Sequence, residues 1–315
     1  MQWGQIKTLF ILCFLILDIF LVRQYFLNQD EDLGTLQTPT NEELLEANVE
    51  GLDKLDKEIR KESIITTKQV DFTTRDTELE GLTNQSLTIL EDNTLVSALD
   101  TPVPIKKEAT DEEIKQIVTG FVPYGEQYTL WGKNEATNTL ILFQLKGDKP
   151  IFYNEGGLLL VFLNEKNEAM YYMQTMLEEI DLEDQAELEK EIMTPYQAVS
   201  QVYFNADNLL TDGSEILEVM EKPTLGYLTL APLSDGEQVF APTWKINFND
   251  SNNYFINAIE GLILTKDENF FIKETLNGVV ASMTNKPIKE ENEALNTIKQ
   301  KLLQVLDTTN WSGEE

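Results

Sequence analysis

The residues of this 315-residue chain that could do chemistry are mostly carboxylates: 55 Asp and Glu stand against 24 Lys and Arg, with no histidine and one cysteine. Two carboxylates cleave a glycoside when they face each other across a sugar cleft at a set separation. The densest run, Glu178, Glu179, Asp181, Glu183 and Asp184, has no spacing that implies such a cleft and reads as a solvated helix face or loop. Asn249-Asp250-Ser251-Asn252-Asn253 offers oxygen ligands for calcium, yet lacks the spacing and distal Glu of an EF-hand loop and reads as a hairpin turn. Asp212-Gly213-Ser214 and Ser234-Asp235-Gly236 read the same way. Without histidine the chain has no imidazole base, no His zinc ligand and no Ser-His-Asp triad. Cys13 lies in an apolar run, so the remainder has neither thiol chemistry nor a disulfide. No Gly-rich phosphate loop or nucleophile elbow is present. The sequence therefore predicts no catalytic residue, no cofactor and no metal.

One carboxylate breaks a rule. Asp18 falls inside Ile6–Leu27, IKTLFILCFLILDIFLVRQYFL, a stretch of otherwise almost unbroken apolar character. About twenty such residues, rising 1.5 Å each, span the roughly 30 Å hydrocarbon core of a bilayer. A cleaved signal peptide would need small residues at its end, and Arg23 to Leu27 are bulky. Leu12 before Cys13 likewise departs from a lipoprotein signal. An uncleaved anchor is the favoured reading, with the amino terminus inside, the remainder outside and the protein in the cell membrane, although Lys7 and Arg23 nearly balance. An acid at the bilayer centre costs on the order of 3 kcal/mol. Asp18 either snorkels outward or bonds to a neighbouring transmembrane helix. On the second reading Ile11, Phe14, Leu15, Leu21, Val22 and Tyr25 flank the contact at steps of three, four or seven.

The net charge of −31 repels phosphate backbones and excludes a nucleic-acid partner. The expected organisation is a tail (1–5), an anchor (6–27), a juxtamembrane linker (28–40), a segment of helix and strands (41–107), and two α+β repeats (108–190 and 191–315). Asn41 to Glu62 places Leu45, Val49, Leu52, Leu55 and Ile59 at helical spacing, weakened by Gly51. Each repeat opens on a capping box, Thr110-Asp-Glu-Glu113 or Thr194-Pro-Tyr-Gln197. Each box leads into apolar strand candidates, TLILFQL and GLLLVFLN in the first repeat and LGYLTLAP and APTWKINFN in the second. MYYMQTML fits helix or strand, and Glu291 to Leu306 closes the chain as a helix. Pro150-Ile-Phe152 and Pro242-Thr-Trp244 each precede a strand pair, a weak internal repeat. The fold class is α+β with antiparallel sheets. Phe152, Tyr153, Tyr171, Tyr172, Trp244, Tyr254 and Phe255 read as core before they read as a ligand groove.

MQWGQIKTLFILCFLILDIFL resembles the opening of YycI-type proteins, the YycH/YycI family of low-GC Gram-positive bacteria. KPIFYNEGGLLLVFLNEKNEA and APTWKINF…YFINAIEGLI are similar to that family's ectodomain repeats. The resemblance implies a non-enzymatic regulator of an essential cell-wall sensor histidine kinase of the YycG/WalK type, acting with a YycH-like partner through transmembrane and extracytoplasmic contacts. Asp18 stands where the family commonly has Asn. The competing expectation is an extracytoplasmic ligand- or peptide-binding module that the helix merely tethers.

Overall fold

A computed structural model describes residues 3–30, 39–75, 79–135, 137–180, 189–206, 216–232, 236–248, 253–285 and 293–308. The chain divides into two units, Met1–Asn48 and Val49–Glu315. The first contains α1 (Trp3–Asp30) and α2 (Asn41–Asn48). Thr40 caps α2, its hydroxyl accepting from the Glu43 amide at 3.2 Å while the Glu43 carboxylate accepts from the Thr40 amide at 2.8 Å. The helix expected to run to Glu62 stops at Asn48. Val49 and Glu50 pair in parallel with Leu217 and Glu218 instead, and Gly51 takes a left-handed φ of 86° that ends the helical path.

The second unit is built on two antiparallel sheets. Its strands in chain order begin β1 (Val49–Glu50), β2 (Arg60–Ser63), β3 (Ile65–Gln69), β4 (Gln85–Leu90), β5 (Thr94–Pro104), β6 (Tyr128–Asn134), β7 (Thr139–Lys146) and β8 (Lys149–Pro150). They continue β9 (Leu158–Leu163), β10 (Glu168–Thr175), β11 (Leu177–Glu179), β12 (Glu189–Ile192), β13 (Leu217–Glu218), β14 (Thr224–Pro232), β15 (Gln238–Asn247), β16 (Asn253–Asn257) and β17 (Ile263–Thr265). The first sheet runs β4-β5-β10-β9-β7-β6, with β8 beside β7; the second runs β11-β3-β15-β16-β17, with β14 beside β15. MYYMQTML thus resolves as strand, most of it in β10.

The apolar runs of β7 and β9 are buried on both faces, which explains their lack of alternation. Leu140, Leu142, Leu159 and Val161 face a core closed by α3 (Asp111–Thr119). Ile141, Phe143, Leu158 and Leu160 face the opposite core, closed by α5 (Glu268–Asn285) and α6 (Glu293–Thr308). Both expected capping boxes form, at Thr110 for α3 and at Thr194 for α4 (Pro195–Asn205). Ala198, Val199 and Val202 of α4 are buried where the helix packs on β15 and β16. Helix α5 was not anticipated from the sequence, although Ile272, Leu276, Val279 and Met283 recur at helical spacing and all enter the core.

Pro242-Thr-Trp244 does not precede a strand pair; it lies inside β15. Pro242 sits where the edge of β15 passes from β3, paired through Phe240, to β16, paired from Thr243. Its carbonyl accepts from the Ala258 amide at 2.8 Å, and the amide hydrogen it lacks falls at this gap between partners.

Among the described residues, no helix is long and apolar enough to cross a membrane. In α1 the side chains described are those of Lys7 and of the run from Phe10 to Arg23.

Candidate functional site

An unbroken 28-residue helix carries the residues singled out around Asp18. Asp18 is exposed, and so are Ile11 (67%), Phe14 (60%), Leu15 (54%), Leu21 (53%) and Val22 (54%). Steps of three, four and seven place them on one face of α1. The Tyr25 side chain lies outside the described residues. The opposite sides of the helix are no less apolar, since Phe10, Leu12, Ile16, Leu17, Ile19 and Phe20 are also exposed, and the Phe10 and Phe14 rings stand 6.3 Å apart. A helix that is apolar all round is the kind that is buried in a protein core or a bilayer, not one that faces water.

Glu178 and Glu179 lie on β11, where Glu178 bonds Arg75 at 3.5 Å and Glu179 pairs with Lys146. Asp181, Glu183 and Asp184 are outside the described residues, as are Asp212-Gly213-Ser214, Ser234, Asp235 and 249–252. Gly236 has a turn-forming φ of 85°. No group of three or more acidic or Cys side chains gathers as a metal site among the described residues.

Of the aromatic residues singled out, Phe152, Tyr153, Tyr172, Trp244, Tyr254 and Phe255 are buried, and Tyr171 is half-buried against the core. Phe152, Tyr172 and Phe255 are fully buried, Trp244 is 4% exposed, and the Trp244 ring nitrogen donates to the Met193 carbonyl at 2.9 Å. Trp131 packs against Phe143, Phe152 and Tyr153 at 5.0–5.8 Å between centroids. Its ring nitrogen donates to Glu268 Oε2 at 2.8 Å, and Lys245 Nζ stands 4.9 Å above the ring. Burial, reinforced by the negative charges of Glu268 and Asp267, pushes the Tyr153 hydroxyl well above the usual range.

Two buried amides missed in the sequence join the sheets. Where the chain leaves β10 for β11, Gln144 of β7 donates to the Leu177 carbonyl at 2.8 Å and accepts from the Leu177 amide at 2.7 Å, acting as a substitute strand. Asn154 donates to Thr229 Oγ1 at 2.8 Å and to Gln238 Oε1 at 2.6 Å. An isolated Gln or Asn carries no periodic signal, so nothing local marks either role.

The profile of the YycI protein family matches residues 27–259. No curated protein matches the sequence. The crystal structure of YycH from Bacillus subtilis is similar over 66% of this chain, at 13% identity and a TM-score of 0.37. The chain spans about half of that structure, 54% of its length.

Proposed function

The chain belongs to the YycI protein family, a family of two-component-system regulators, and on that premise we propose that it is a membrane-anchored, non-enzymatic regulator of a cell-wall sensor histidine kinase of the YycG/WalK type. Residues 6–27 form a single-pass anchor, with the amino terminus inside and the acidic domain extracytoplasmic. A YycH-like protein acts with it. Contacts run through the anchor and through the outer domain, which comprises two α+β repeats, 108–190 and 191–315, each opened by a capped helix. Regulation is differential binding: contacts made better in one state of the kinase shift its population toward that state.

The observation that carries this reading is the exposed apolar surface of α1 with Asp18 set into it. A helix with this surface is stable in lipid, where an acid still costs on the order of 3 kcal/mol near the centre. A hydrogen bond across to a second helix returns about 0.6–2 kcal/mol of that. The test is crosslinking in membranes between the full chain and the kinase, with Asp18→Leu and Asp18→Asn variants. Capture should fall about 3- to 30-fold for Leu and be retained for Asn. Equal capture by the Leu variant would remove Asp18 from the interface, and capture that survives exchange of residues 6–27 for an unrelated span would remove the anchor.

A further inference from the structure

β17 is the last strand of the second sheet, and among the described residues no strand pairs with its outer edge. The alternation of the ladder fixes which backbone groups lie open there. The Asn257 amide donates to the Leu262 carbonyl at 2.9 Å, so Leu262 and, two positions on, Leu264 turn their backbone groups toward β16. Ile263 and Thr265 therefore each present an amide and a carbonyl to the outside. The edge is apolar as well: Leu262 is 55% exposed, Ile263 and Leu264 are half-buried, and Phe270 at the start of α5 is 64% exposed.

Other edges of the two sheets are closed or blunted. The Gln144 side chain occupies β11 at Leu177, the Phe152 amide bonds β14 at Tyr227, and β6 carries a bulge before Gly132, followed by Lys133. β17 has no such device, since no register shift, proline or charged residue falls within Ile263–Thr265. An edge left in that state accepts another strand. Its bonding pattern is symmetric about Leu264, with one outward-facing residue on either side. An antiparallel copy of the same strand fits it without a shift. Ile263 of each copy then forms a hydrogen-bonded pair with Thr265 of the other, and the two Leu264 residues meet on the twofold axis. Charge agrees with this occupant. A net charge of −31 opposes self-association, but the paired residues are uncharged, and the twofold places Lys266 of each copy opposite Leu262 of the other, two positions from its Glu260.

We propose that β17 is the contact edge of a homodimer, in which the six-stranded sheets of two copies join through antiparallel Ile263–Thr265 strands. The twofold register brings the two Leu264 Cα atoms to about 4.5 Å, the spacing of a non-hydrogen-bonded pair and within reach of a disulfide. Cys13 is the only cysteine, so Cys13→Ala combined with Leu264→Cys leaves a single thiol, at the axis. The full chain in nonionic detergent is oxidised with copper–phenanthroline in air and resolved on a non-reducing gel. A disulfide-linked dimer is expected from that variant. Little is expected from Cys13→Ala with Leu230→Cys, whose thiol replaces a side chain 46% exposed on β14. Adding Thr265→Pro to the Leu264→Cys chain should slow crosslinking about 10- to 100-fold, because each copy loses one outward amide at a position where an edge strand tolerates the ring. Thermal melts establish that each variant is folded; should Thr265→Pro not fold, the comparison of the two single-cysteine chains decides the matter. A Leu264→Cys chain that stays uncrosslinked would assign the edge to a strand of a different protein and overturn the proposal. Equal crosslinking from Leu230→Cys, or an undiminished rate in a folded Thr265→Pro variant, would overturn it as well.

Discussion

Gly226→Ala is the substitution whose cost follows most directly from the packing between the sheets. Gly226 pairs with Thr243 in the β14–β15 ladder. A Cβ added there would stand 2.4 Å from Phe152 Cε2 and 2.4 Å from the Pro150 carbonyl oxygen. Neither neighbour can give way cheaply. Phe152 is fully buried, its ring packs 5.2 Å from Phe255, and its amide donates to the Tyr227 carbonyl at 2.8 Å. Pro150 is held by pairing with Leu145. Overpacking a tight core costs about 1–3 kcal/mol, and a clash with backbone belongs at the upper end. A loss of about 3 kcal/mol is roughly a hundredfold in the folding constant and lowers Tm by about 6–12 °C for a unit of this size. Thermal unfolding by circular dichroism measures it, with Gly278→Ala as the control because its added methyl meets open space. A fall below about 2 °C for Gly226→Ala, with the near-ultraviolet aromatic signal intact, would refute the argument that this glycine is required by the close approach of Phe152.

Gln144→Leu should cost about 2–4 kcal/mol in urea unfolding, because the buried Leu177 amide and carbonyl lose their partner; a change under about 0.5 kcal/mol would show that the backbone re-pairs. Thr194→Ala should cost about 1 kcal/mol by removing the cap of α4, and the exposed box at Thr110 no more than that; a larger loss at Thr110 would invert the expected order. Glu155→Gln should raise Tm at neutral pH. The folded carboxyl titrates above its unfolded value, so its favourable contribution is present below the unfolded pKa and is lost as pH rises through the folded one. The two proteins should converge below about pH 4, and a difference independent of pH would contradict the assignment.

Features that depend on neighbours three or four residues apart could be read directly from the residue order. The capping boxes at Thr110 and Thr194 join a side chain to an amide three positions on, so residue identity was sufficient to place them. The apolar run around Asp18, the absence of histidine and the acidic excess are likewise properties of composition that folding does not alter. The YycI resemblance rested on the same kind of information, and the family profile matches most of the chain. The helix from Asn41 failed beyond Asn48 because Val49 finds its partner at Leu217, and no local pattern reveals a contact 168 positions away. Helix α5 was readable from Ile272, Leu276, Val279 and Met283, but Gly278 and neighbouring β-branched residues weaken its local propensity, and burial in the core compensates.

Tertiary structure alone decided which strands share a sheet. β3 lies between β11 and β15, so residues near 67, 178 and 239 become neighbours through backbone bonds that any side chain could accompany. It alone gave Gln144 and Asn154 their joining roles, Gly226 its tight contact and Gly278 its open one. Each depends on the distance between segments remote in sequence. That distance is set by how two sheets and their covering helices pack together, and residue order does not contain it in any local form.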